Sequence, residues 1–212
     1  ILISRLVDRA VRPLFPDTFL NETQIIINLI SGDQKNMPDA YAALAASAAL
    51  AVSDIPFDGP ISEVRVAKIN GKYIVNPERD QLATADLDLI IAATLKDVMM
   101  VEGEANECQE SDIIEAIKIG HEAIKVQCEA QLALAKLVGA KALVKREVIA
   151  PEVDTELKDL IKSLANARLL EISASALDKN SRKNGYKEVG KAVKAAILEQ
   201  EGEGYAAEND AQ

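Results

Sequence analysis

Apolar and polar positions along this chain follow three rhythms in turn, and each change of rhythm marks an element. In the opening stretch ILISRLVDRAVRPLFP (1–16), Arg5, Arg9 and Arg12 recur at steps of four and three, while Leu2, Leu6 and Val7 lie on another side. That spacing predicts a helix with one arginine face and one core face, ended by Pro13 and Pro16. The apolar run QIIINLIS (24–31) predicts a buried strand, ended by Gly32 and Asp33. Alanine-rich Met37–Ser53 predicts a helix with Asn36 as its cap and Pro38 in its first turn.

Period-two alternation takes over at Ser62. Ser62–Ile69 and Lys72–Val75 flank Asn70-Gly71, a dipeptide suited to a type I′ turn, so a β-hairpin is expected. Leu87–Ala93 and Val98–Ala105 predict a second antiparallel pair around Thr94–Asp97. From Ser111 to Val138 the rhythm is helical, with Ile113, Ile117, Gly120, Ile124, Cys128 and Leu132 forming one stripe. A glycine inside that stripe points to close approach by another backbone. After Gly139 the strand signals stop. Asp154 can cap a segment carrying Leu157, Leu160, Ile161 and Leu164. Arg168–Leu177 reads as a second short helix, and Lys183–Glu199 as a third with Tyr186, Val189, Val193 and Ile197 inward.

Composition narrows the class. Of 212 residues, 49% are hydrophobic, 27% charged and 3% aromatic, the balance of a soluble globular protein with aliphatic cores. A net charge of −10 excludes a general nucleic-acid coat, so any RNA contact needs a local basic patch. Cys108 and Cys128 sit at no metal-ligand spacing, and reduced thiols in a cytoplasmic protein are the default. No apolar run reaches the roughly 18 residues of a membrane helix, and no membrane partner is expected. The chain begins at Ile1, within a predicted helix, as a piece of a longer or processed protein would.

Two groups carry candidate chemistry. A row of guanidinium groups at Arg5, Arg9 and Arg12 suits a line of phosphates, since each stays charged and binds phosphate oxygens in pairs. The alternative is a salt-bridged face, with Asp8 as a local partner. Lys179, Arg182, Lys183, Lys187, Lys191 and Lys194 form a second basic block, able to hold an RNA backbone or simply to face solvent. The single histidine, His121, has no second imidazole or cysteine near it in sequence and reads as structural.

Several blocks, taken together and in order, resemble the polynucleotide phosphorylase family. They are SRLVDRAVRPLFPDTF (4–19), IPFDGPI (55–61), INGKYIVNP (69–77), DLDLIIAAT (86–94), VMMVEGEANE (98–107) and IKIGHEAI (117–124). The resemblance implies an α+β fold: a ribonuclease-PH-like domain of mixed or antiparallel sheets with packed helices, then a small all-α domain. On that reading, 1–139 is the C-terminal portion of the first ribonuclease-PH-like domain, 140–150 a linker, and 151–212 part of the helical domain. The family implies phosphate-dependent 3′-to-5′ exoribonuclease activity in mRNA degradation, releasing nucleoside diphosphates, with reversible polymerisation at 3′ ends. It implies inorganic phosphate as co-substrate, Mg²⁺ held outside this stretch, single-stranded RNA as partner, a homotrimeric ring and an RNA-degradation assembly.

The resemblance also implies where chemistry would sit, and this chain departs from it there. Active copies carry a Gly/Ser/Thr-rich phosphate turn before the alanine-rich helix. Here the turn reads GDQKNMPDAY (32–41), with no serine or threonine, and Asp39 adds a negative charge. Active copies place two aspartates six residues apart and a lysine two further on; the matching positions are Leu82, Asp88 and Ile90. No catalytic residue and no metal ligand is therefore expected. The expected role is ring-building and RNA-positioning, with Arg5, Arg9, Arg12, Lys183, Lys187 and Lys191 as RNA or phosphate contacts. The alternative is an inactive ribonuclease-PH-like RNA-binding or scaffold subunit of an exosome-type ring.

Overall fold

The structure, a computed structural model, describes residues 2–149 and 154–201. The chain forms two compact units, residues 1–150 and 151–212. The acidic tail after Gly202 lies outside the described residues.

The first unit is built on a four-stranded antiparallel sheet. After helix α1 (Leu2–Val11) and helix α2 (Asp39–Ala51), strands β1 (Ser62–Ile69) and β2 (Lys72–Val75) form the expected hairpin. Asn70 and Gly71 both have positive φ, 50° and 75°, as a type I′ turn requires. A short helix α3 (Arg79–Leu82) leads to the second pair, β3 (Leu87–Ala93) and β4 (Val98–Ala105). The order across the sheet is β2-β1-β3-β4. Gly103 lets β3 and β4 close up, since a Cβ there would stand 2.0 Å from the Asp88 carbonyl oxygen.

Both faces of the sheet are covered. One carries Ile61, Ile90, Ala92 and Met100 against Leu6, Val7, Ala10 and Val11 of α1 and Ala43, Ala46 and Leu50 of α2. The other carries Val64, Val66, Leu89 and Ile91 against Ala116, Ile124 and Cys128 of helix α4 (Glu110–Val138). Gly120 permits close approach, but to side chains rather than to a backbone: a Cβ would meet Ile91 Cδ1 at 2.7 Å and Val66 Cγ2 at 3.1 Å. Leu132, placed on the stripe by its spacing, is 37% exposed, and the buried line runs instead through Gln131 and Ala135. Gln131 follows the core because its amide donates to the Ile61 carbonyl at 3.0 Å.

Three local expectations are corrected. Residues 24–31 form no strand, and Ile26 and Ile30 are 72% and 96% exposed, because no described strand offers them a ladder. Asn36 does not cap α2; Pro38 stands at the cap position, and the Asn36 amide is held by the Asp33 carboxylate. In the second unit, the segment after Asp154 and the separate short helix are one helix, α6 (Thr155–Ala174), since nothing between Leu164 and Arg168 breaks it.

Of the stretch 140–150, which reads in sequence as a linker, the described residues 140–149 start with helix α5 (Ala140–Leu143) and are tied to the first unit. Lys145 Nζ donates to the Ser53 and Leu50 carbonyls at 2.7 and 3.2 Å, closing the C-terminal end of α2, and Arg146 pairs with Asp54 at 2.7 Å. In the second unit α6 begins at Asp154, whose carboxylate accepts from the Leu157 amide at 2.9 Å. It packs against α7 (Lys179–Glu201) through Ala165, Leu169 and Ile172 facing Val189 and Val193.

Candidate functional site

The turn before α2 and the sheet face beneath it are where phosphate and metal would be expected to meet. At the turn, Asp33 folds back on its own loop. Its carboxylate accepts from the Lys35 and Asn36 amides at 2.8 and 2.6 Å and from the Asn36 side chain at 2.8 Å. These bonds hold the Asp33 carboxyl below its usual range, the Asn36 amide contributing most. Backbone donors that an incoming anion would use are thus already spent on a carboxylate. Lys35, the one cation of this loop, points to Glu78 at 3.9 Å.

On the sheet, the cation beneath α2 is Arg65. β1 places Arg65 beside Ile90 of β3, with Asp88 one diagonal step away. Arg65 Nη1 donates to both Asp88 oxygens at 2.7 and 2.5 Å, and Nη2 donates to Asp39 of α2. All three side chains are largely covered, at 16%, 17% and 13% exposure. Burial works against the guanidinium charge, but the two carboxylates outweigh it and hold Arg65 above its ordinary value. Asp39, a repelling charge in the sequence, is thus a partner of Arg65.

Glu63 lies two residues before Arg65 on β1 and is 1% exposed. Neither of its carboxylate oxygens has a hydrogen-bond partner. Burial, reinforced by Asp39, pushes its carboxyl from 4.5 up to about 8, against a smaller opposing pull from Arg9. Glu63 is therefore largely protonated at neutral pH.

Mg²⁺, implied by the family resemblance, does not fit these residues. Leu82 and Ile90 offer no side-chain oxygen, both oxygens of Asp88 are held by Arg65, and no described group of three His, Cys, Asp or Glu side chains could hold a metal ion.

The expected phosphate contacts divide between the two units. Arg9 is paired with Glu102 of β4, and Arg12, the first residue past α1, with Asp8 at 2.6 Å. Arg5 is exposed and enters no ion pair among the described residues. The α1 face therefore offers one free guanidinium and two engaged ones. Lys183, Lys187 and Lys191 are exposed on α7 of the second unit. His121 is structural, its Nε2 bonded to the Thr94 carbonyl at 2.9 Å.

Arg65 and Glu63 are the residues that sequence patterning misses. In SEVRVAKI the charged positions alternate with valines, which reads as one solvent face. That face is roofed by α1 and α2 instead, so its charges must pair or neutralise.

Two successive models of one family match the first unit: 3′ exoribonuclease family, domain 1, over residues 1–56, and domain 2 over residues 59–123. Together they span more than half of the chain.

The chain belongs to the 3′ exoribonuclease family.

Its relatives in this family include the polyribonucleotide nucleotidyltransferase of Parabacteroides distasonis, 52% identical over 95% of the chain and 27% of the relative. Those of Porphyromonas gingivalis and Bacteroides fragilis are 51% and 50% identical over 95% of the chain, covering 27% and 28% of the relatives. The chain thus spans little more than a quarter of the length of the exoribonuclease-family relatives it matches. The α+β architecture expected from the sequence agrees with this family. No helix among the described residues is long and apolar enough to cross a membrane.

Proposed function

We propose that this chain is the ring-building, RNA-positioning part of a phosphate-dependent 3′-to-5′ exoribonuclease. The whole protein would cleave single-stranded RNA with inorganic phosphate, release nucleoside diphosphates, and extend 3′ ends in reverse. It would act in cytoplasmic mRNA degradation as a homotrimer, alone or within an RNA-degradation assembly, with Mg²⁺ held by residues outside this stretch. Identity of about 50% to polyribonucleotide nucleotidyltransferases supports the parent activity.

The observation that carries the segment's own role is the Arg65 clamp on Asp39 and Asp88. Phosphorolysis brings an anionic nucleophile to an anionic diester, so a working site must present free cations and donors. Here the buried cation is neutralised by two carboxylates, and the turn's amides are bonded to Asp33. The remaining task is mechanical: the clamp ties α2 to the centre of the sheet, and α1, docked on the same face, displays Arg5 at the surface.

The alternative of an inactive scaffold subunit of an exosome-type ring is less well supported. The match to the nucleotidyltransferases continues over 201 residues, through the helical unit.

The test is nucleoside diphosphate release from poly(A) by the native gene product, comparing wild type with the triple substitution Arg65→Met, Asp39→Asn, Asp88→Asn. Turnover within about twofold of wild type is expected at saturating RNA and phosphate. Loss of kcat by 100-fold or more, with the melting temperature and RNA affinity retained, would make this site catalytic.

A further inference from the structure

Glu63 has no task in the clamp described above, yet it is 1% exposed and neither of its oxygens has a hydrogen-bond partner. A carboxylate buried in that way is costly, so the group either keeps a proton or finds a cation. The charges around it come from every element packed on this face. Asp39 of α2 repels a second negative charge at Glu63. Arg65, two residues along β1, has both Nη atoms committed to Asp39 and to Asp88 of β3. Arg9 of α1 is the cation whose attraction reaches Glu63, and it is already paired with Glu102 of β4.

The sheet register places the two acids on either side of one gap. Glu63 stands opposite Ala92 of β3, and Ala92 stands opposite Met100 of β4. Glu102 lies two residues beyond Met100 and so shares that face. Two strand spacings separate β1 from β4, about 10 Å across the sheet. Between them Ala92 adds only a methyl group. Helix α1 is held over this face by Leu6, Val7, Ala10 and Val11. The Arg9 side chain is 47% exposed, so it can change partner by rotating about its own bonds while the helix stays docked.

We propose that Arg9 is the moving part of a proton-operated switch, resting on Glu102 while Glu63 carries its proton and turning inward to Glu63 when that proton leaves. In the first state Glu63 is neutral and the Arg9–Glu102 pair lies at the surface. In the second the proton has gone to solvent, the guanidinium and the new carboxylate neutralise each other under α1, and Glu102 is left bare. The surface beside α1 thus becomes more negative by one charge. The inference goes beyond the proposed function and needs no RNA for its test.

Two readouts follow the two ends of the switch in the whole chain. The first is modification by phenylglyoxal, quantified by mass spectrometry as the ratio of Arg9 to Arg5. Arg5 lies on the same helix, exposed and outside any ion pair among the described residues, so it cancels the reagent's own pH dependence. The ratio should fall as pH rises through about 8, where burial has pushed the Glu63 carboxyl, and stay level in Glu63→Gln. The second is the infrared C=O band of the protonated Glu63 carboxyl, assigned by its loss in Glu63→Gln. In Glu102→Gln, Arg9 is released to Glu63, and the midpoint of this band should drop by about one pH unit. In Arg9→Met the midpoint should rise, and adding Glu102→Gln should then change nothing, because Glu102 acts only through Arg9.

A level Arg9 ratio in the unmutated chain while the Glu63 band titrates would overturn the switch. So would a rising ratio, which would mean that α1 undocks instead. A Glu102→Gln shift that persists without Arg9 would show plain repulsion between the two acids and overturn it as well. A Glu63 midpoint near 4.5 would overturn it at the root, since no proton would be held at neutral pH. None of these results bears on nucleoside diphosphate release, so the exoribonuclease reading stands or falls separately.

Discussion

Replacing Glu63 with glutamine should remove most of the difference in stability between about pH 5 and pH 8. Glu63 is buried on the sheet face under α1 and α2, has no hydrogen-bond partner, and carries a carboxyl raised from 4.5 to about 8. Between those two values the folded chain keeps a proton that the unfolded chain has lost. The sign follows directly: this group's contribution is complete below about pH 4.5 and drains away as pH rises toward 8. The loss runs at about 1.4 kcal/mol per pH unit within that window, which amounts to several kcal/mol between pH 5 and pH 8. Glutamine has nearly the shape of the protonated acid and does not titrate. Urea unfolding of both proteins at several pH values measures the difference directly, because the titrations of all other groups cancel. The two curves should converge near pH 5, with Glu63→Gln the more stable by several kcal/mol at pH 8. Parallel curves separated by a constant offset would refute the reasoning and show that Glu63 is ionised in the folded state throughout.

Arg65→Met should cost about 3–5 kcal/mol, because Asp39 and Asp88 are left facing each other without their cation. Adding Asp39→Asn and Asp88→Asn should recover most of that loss, as read by the same urea titration. Gly103→Ala should destabilise by about 3 kcal/mol or more, since its Cβ would press on the Asp88 carbonyl and on Leu89 Cα at 2.8 Å, and neither backbone atom can yield. Amide exchange along β3 and β4 should show the damage first. Lys145→Met should cost about 1–2 kcal/mol by leaving the terminal carbonyls of α2 without their donor, and should speed exchange at that end of the helix.

Elements whose signals are local were legible in the sequence. Asn70-Gly71 fixed the first hairpin because only a few dipeptides tolerate positive φ at both central positions. The second hairpin and α4 followed from strict periodicity, and Asp154 marked the start of α6. The errors arise where the outcome depends on distant partners. QIIINLIS has the composition of a strand, yet a strand exists only beside another, and none of the described strands reaches it. The 140–149 stretch looks like a linker until Lys145 finds the end of α2, more than 90 residues away in sequence. For the candidate site, the missing groups at 82 and 90 were visible as Leu82 and Ile90. What replaced them was not visible. Arg65 and Asp88 are 23 residues apart, and only the register of β1 on β3 brings them together.

With Arg65 paired to both Asp39 and Asp88, these carboxylates should be closed to divalent cations. The most direct measurement is titration of the chain with Mn²⁺, followed by its electron paramagnetic resonance signal. No saturable binding is predicted up to about 1 mM in the wild type, because a hard cation needs several free oxygens and both oxygens of Asp88 are taken. One equivalent of bound Mn²⁺, lost on Asp88→Asn substitution, would contradict the account.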